Sequence, residues 1–171
     1  MSIKTQSVIG QRKLITVTKT RPANTTAYTT EDVVSESASA GTAWTFSSVV
    51  PQDGGSGTIV GAILQDDDTG HTQLMKLYLY NVTPTSVLND NLAHTGPLAA
   101  DADNYLGMVA FPALVDEGGF SHARVQWGAA NGVPLPIVTD SDSDIYGVLT
   151  TEGYTPSSGE IYRITLIIDR D

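Results

Sequence analysis

The chain has 171 residues, 40% hydrophobic and 16% charged, with a formal charge of −10 and no cysteine. That length suits one domain burying roughly two-thirds of its unfolded surface, and the lack of thiols excludes disulfides and thiolate metal sites. The acidic balance argues against nucleic acid as a partner, because phosphate contacts need clustered cations. Charge is unevenly spread: Lys4, Arg12, Lys13, Lys19 and Arg21 lie in the first thirty residues, and all nineteen acids come later. No apolar run is long enough to span a bilayer, and the start lacks the charged-then-apolar pattern of a signal peptide. A soluble protein with no membrane partner is expected.

In chain order, residues 1–13 are polar, with Gly10 in the middle. They read as an N-terminal arm or loose first strand ahead of a single domain over 14–171. Leu14 to Lys19 alternates β-branched and polar residues, which is strand patterning. Pro22 bars a continued central strand. Asp32 to Ser35 is a short apolar touch, and Ala43 to Val50, with Trp44 and Phe46 on one face, predicts a second strong strand. Thr58 to Gln65 has no polar face and predicts a central strand covered on both sides. Gln73 to Tyr80 should turn Met75, Leu77 and Leu79 inward and Lys76, Tyr78 and Tyr80 outward, as period two requires. These two runs are expected to pair antiparallel.

Residues 81–104 form the longest non-strand stretch, with one helical turn at Leu98 to Asp103. Tyr105 to Phe111, Ala123 to Trp127 and Leu135 to Val138 are further strands. Ile145 to Thr151 and the run ending at Asp169 flank Gly153, Pro156 and Gly159, the punctuation of a hairpin or other tight connection. In the last run Tyr162, Ile164, Leu166 and Ile168 share one face. Nine or ten short strands with little helix predict an all-β fold, an antiparallel β-sandwich of jelly-roll-like type.

No catalytic motif emerges: there is no Gly-x-Ser-x-Gly, no His-Glu-x-x-His and no phosphate-cradling loop before a helix. His71, His94 and His122 fall in separate loops. Asp140, Asp142 and Asp144 alternate like the start of a calcium loop, but Ile145 stands where that loop needs glycine and Thr151 where it needs an acid. Asp66-Asp67-Asp68 and the pair Asp101 and Asp103 are weaker candidates. The expectation is a non-enzyme with no metal site and no cofactor. The expected interaction residues are the basic Arg12, Lys13, Lys19 and Arg21, seeking an acidic protein neighbour. Tyr78 and Tyr80 join them as an exposed platform for a subunit or a sugar.

A set of short motifs in fixed order adds a resemblance. Arg21-Pro22-Ala23-Asn24-Thr25-Thr26-Ala27-Tyr28, Asp32-Val33-Val34 and the Gly-rich loop at 54–57 are followed by Leu77-Tyr78-Leu79-Tyr80 with Pro84. Asp90-Asn91, Tyr105-Leu106-Gly107, Tyr146-Gly147-Val148-Leu149 and Tyr154-Thr155-Pro156 complete the order. From about residue 14 to 169 the chain resembles small virion structural proteins of tailed bacteriophages. That resemblance implies a head decoration or cement protein that binds the major capsid protein or another virion protein and stabilises the shell. It further implies a homo-oligomer, a trimer by preference, made in the host cytoplasm and carried on the particle surface. The basic arm would then dock on the shell. The alternatives are a tail-associated virion protein, or a carbohydrate- or receptor-binding sandwich stacking its ligand on Trp44, Trp127, Tyr78 or Tyr80.

Overall fold

The computed structural model describes residues 11–127 and 130–171. Among them are eleven strands: β1 (Arg12–Thr20), β2 (Asp32–Val33), β3 (Trp44–Phe46), β4 (Ser56–Asp66), β5 (Met75–Tyr80), β6 (Tyr105–Phe111), β7 (Val115–Asp116), β8 (Ser121–Gln126), β9 (Leu135–Val138), β10 (Ile145–Thr151) and β11 (Ile161–Arg170). The helical turn expected near residue 98 is a short 3₁₀ helix, Ala99–Asn104.

The strands form two antiparallel sheets packed face to face, an all-β sandwich. The first runs β1-β11-β4-β8-β7, with β9 also on β4; the second runs β2-β10-β5-β6, with β3 also on β10. Between them lies the core, where Ile59, Leu64, Tyr162, Ile164, Leu166 and Ile168 meet Trp44, Phe46, Leu77, Leu79, Ile145 and Leu149, all essentially without exposure. The inward faces expected of β5 and β11 are the buried ones. β4 is central, held by β11 on one side and by β8 and β9 on the other.

Three expectations need correction. β4 and β5 do not pair, and neither do β10 and β11, because each connection crosses from one sheet to the other. Alternation fixes which face of a strand is apolar; it does not distinguish a neighbour in the same sheet from one stacked about 10 Å away across the core. The strand expected over 43–50 stops at Phe46, because Ser48 takes a left-handed backbone (φ 54°). Asp144 caps that turn, accepting from Ser48 N at 2.8 Å and Ser47 Oγ at 3.0 Å. Finally, Tyr80 does not face solvent. Residues 81–104 fold back over the outside of the second sheet, where Val33, Tyr80 and Val148 form a small second core against Val87, Leu88 and Tyr105.

Candidate functional site

Two features stand out: a buried polar cluster at one end of the sandwich, and the outer face of the first sheet.

The cluster forms where β4 ends, the connection to β5 begins and β11 starts. Asp66 closes β4, His71 lies on the connection, and Glu160 precedes β11 just after Gly159, whose left-handed φ of 71° turns the chain into the strand. His71 Nδ1 is 2.9 Å from Asp66 Oδ2 and 2.8 Å from Glu160 Oε1. Tyr162 donates to Glu160 Oε1 at 2.7 Å, and Tyr154 donates to Glu160 Oε2 at 3.2 Å. The two tyrosine hydroxyls also contact each other. Tyr154 stacks on Tyr28 with centroids 5.1 Å apart and meets the His71 ring edge-on at 4.9 Å.

Burial opposes a charged imidazole, yet the two facing carboxylates outweigh it and raise the His71 pKa to about 10. Burial also drives Glu160 up to about 6, helped by nearby Asp66. Burial opposes the Asp66 charge as well, but hydrogen bonds led by His71 hold its pKa below the usual carboxylate value. The tyrosines are pushed upward, chiefly by burial. Such a set can hold a proton or a cation. Both carboxylates are closed to solvent, and the imidazole is partly open.

Sequence reading set the three histidines in unrelated loops and weighed Asp66 only with its acidic neighbours. The signal that could have joined Asp66 and Glu160 was their placement, one at the end of a strand and one at the start of another. Which strands adjoin was not readable, so the meeting of the two was missed. The acidic loop at 140–144, by contrast, uses its carboxylates on local turns. Asp142 accepts from Asp144 N at 2.9 Å and from Tyr146 Oη at 2.7 Å, and Asp144 caps the Ser48 turn.

The expected interaction residues are mostly engaged within the chain. Residues 1–10 of the expected arm lie outside the described residues, while Arg12 and Lys13 open β1 and pair with Asp169 and Ile168. Lys13 Nζ donates to the Ser48 carbonyl at 2.7 Å. Lys19 is bound to Glu36 and Thr42. Arg21 is fully buried against Tyr28 and Asp90 and is thereby closed to any partner. Tyr78 is half-buried and meets the His94 ring at a tilt, with centroids 4.5 Å apart, and Tyr80 and Trp44 are buried. Of the expected aromatic platform, only Trp127 is open, at 69% exposure.

The first sheet has a different outer face. Across β1, β11, β4 and β8 the register aligns Leu14, Ile167, Gly61 and Gln126 in one row, and Thr16, Thr165, Ile63 and Arg124 in the next. Thr18, Arg163, Gln65 and His122 form a third row. Arg12, Val60, Arg124, Trp127 and Ile167 line a shallow depression here. Leu14 is 61% exposed, and no described residue of the chain covers it as 81–104 covers the second sheet. Arg12 sits at the rim, donating from Nε and Nη2 to the two carboxylate oxygens of Asp169 at 2.7 and 2.8 Å.

Comparison with protein-family profiles and with curated proteins finds no match to this chain.

Proposed function

We propose that the chain is a non-enzymatic structural protein of a tailed-phage virion, a head decoration or cement protein. The observation that carries this reading is the outer face of the first sheet. There an acidic molecule presents Leu14, Ile167, Ile63 and Trp127 among Arg124 and Arg163. Apolar surface interleaved with arginine and polar threonines is the composition of a protein contact, and arginine suits an acidic neighbour. The cation on this face comes from the body of the sandwich more than from the first thirty residues, so docking shifts from the arm to the sheet.

Strand order supports a jelly-roll reading of the sandwich. With β2 and β3 taken as one interrupted strand and β7 and β9 set aside, the sheets run first-eighth-third-sixth and second-seventh-fourth-fifth. That architecture recurs in viral capsid proteins and in lectins. The lectin-like alternative keeps one exposed stacking residue, Trp127, since Trp44 and Tyr80 are inside.

Light scattering of the purified chain should give the mass of a trimer. Gold-labelled antibody to the chain should mark the heads of virions assembled in cells that express it. A monomer that labels no particle overturns the reading. Glycan-array binding abolished by Trp127→Ala would favour the alternative.

A further inference from the structure

The cluster at the end of the sandwich is unbalanced in two ways. Asp66 Oδ2 and Glu160 Oε1 both address one ring nitrogen of His71, at 2.9 and 2.8 Å. That nitrogen carries one proton at most, and a single N–H cannot lie along two acceptor directions at once. Charge is short as well. Among the described residues His71 is the ion-pair partner of both carboxylates, and neither carboxylate has any exposure. Two carboxylates against one imidazolium leave a negative charge uncompensated where water does not reach, a costly arrangement. The nearby guanidinium of Arg21 is committed to Tyr28, Asp90 and the Ser157 carbonyl.

We infer that Asp66 Oδ2, His71 Nδ1 and Glu160 Oε1 form a binding site for a divalent transition-metal cation such as zinc or manganese. A dication with a neutral imidazole cancels both carboxylate charges and replaces the contested proton. The three ligand atoms lie within 4.8 Å of one another. Ligands at about 2.0–2.2 Å from a metal stand about 3–3.5 Å apart, so the two His71 contacts need lengthen by only a few tenths of an ångström. One nitrogen and two oxygens suit these cations, whereas calcium prefers six to eight oxygens.

The surroundings hold the ligands in place, as outer-shell partners of a metal do. Asp66 Oδ1 accepts from Asp68 N at 2.9 Å, and Glu160 accepts from Tyr162 and Tyr154. A further buried oxygen is unspent. Gln73 is 8% exposed and donates through Nε2 to Tyr162 at 3.2 Å, while its Oε1 has no partner. The imidazole, at 14% exposure, is the partly open side through which an ion and its water would enter. A cation here ties the end of β4, the crossing to β5 and the start of β11, so its role is to clamp one end of the sandwich.

The test is a calorimetric titration of the full chain, stripped with EDTA, using zinc chloride and manganese chloride in separate runs. One ion of at least one of these metals should bind per chain with micromolar affinity or better, and raise the melting temperature by several degrees. Glu160→Gln and His71→Ala should each weaken binding about tenfold or more, while Asp142→Asn, in the other acidic loop, should not. Cobalt substitution should give a visible d–d spectrum that His71→Ala abolishes. The inference is overturned by a stripped wild-type chain that binds neither metal stoichiometrically, which decides the matter even should a variant not fold. Equal weakening by Asp142→Asn, or full affinity in folded Glu160→Gln, overturns it too. Labelling of virions is unaffected by any of these results, so the two readings fail separately.

Discussion

Arg21 and Asp90, 69 residues apart in sequence, form an ion pair at 3.2 Å with each side chain only 1% exposed. Asp90 also accepts from Tyr28 Oη at 2.6 Å and Ser35 N at 3.0 Å, and Arg21 reaches the Ser157 carbonyl. One pair thus fastens the turn after β1, the long connection over the second sheet and the last loop. Removing one partner strands a charge in a dry site, so Asp90→Ala should cost about 3–5 kcal/mol. That is a large share of a total near 5–15 kcal/mol. Replacing both, as Arg21→Met with Asp90→Leu, should recover much of the loss. Urea unfolding of the single and double variants measures it, and a double variant no more stable than the single would show that the neighbouring tyrosine and serine bonds dominate.

Ile164 and Leu77 face each other's sheets with no exposure. Ile164→Asp or Leu77→Asp should leave the chain unfolded, because an unpaired carboxylate there costs several kcal/mol. Circular dichroism decides this directly: a cooperative melt near the wild-type temperature would contradict the burial of that face.

Glu36 predicts the acid limb of stability. Burial opposes its charge, but it accepts from Lys19, from Ser35 Oγ at 2.8 Å, and from Thr42 N and Oγ1 at 2.8 and 2.6 Å. Its pKa falls to about 2 from an ordinary 4.5. Lys19 is shifted downward too, because burial outweighs the benefit of Glu36. The carboxylate gains more from the pair than the ammonium does, because four donors converge on it. A depressed acid contributes stability that is full above its unfolded pKa and is lost as pH falls through the folded one. Melting temperatures between pH 5 and 2 should fall less steeply in Glu36→Gln than in wild type. Parallel curves would remove Glu36 from the account.

How much of this was legible beforehand depends on which physical rule was at work. Tyr162, Ile164, Leu166 and Ile168 were assigned inward correctly because side-chain direction in a strand follows from local geometry alone. Tyr80 was misplaced because the same rule cannot foresee that residues 81–104 return to cover the outer face. Arg21 was read as a surface cation for a like reason: its acceptor, Asp90, lies far along the chain. The Asp66, His71 and Glu160 cluster was invisible for want of strand pairing. β4 and β11 are neighbours, with Tyr162 opposite Asp66, and nothing in either segment announces the other. Sandwich class is a matter of composition and period, whereas sites that join loops at one end of it depend on topology.

The outer face of the first sheet yields the prediction that bears most directly on function. Leu14, Arg124 and Trp127 are exposed there and make little contribution to the core, so changing them should leave the fold intact. Trp127, which lines the depression on this face, is the natural anchor, since large aromatic side chains carry a disproportionate part of a contact's energy. Trp127→Ala and Leu14→Asp should therefore melt like wild type yet lower the mass of the proposed oligomer, or weaken the proposed attachment to particles. Arg124→Glu should do the same while also reversing the salt response, because its exposed charge is screened at physiological ionic strength. Arg12→Glu should have a smaller effect, its guanidinium being already occupied by Asp169. Light scattering and sedimentation of the particles with bound chain measure both consequences. If all four variants assemble and attach as wild type does, the sheet face is merely solvated, and the covering segment at 81–104 becomes the surface to mutate next.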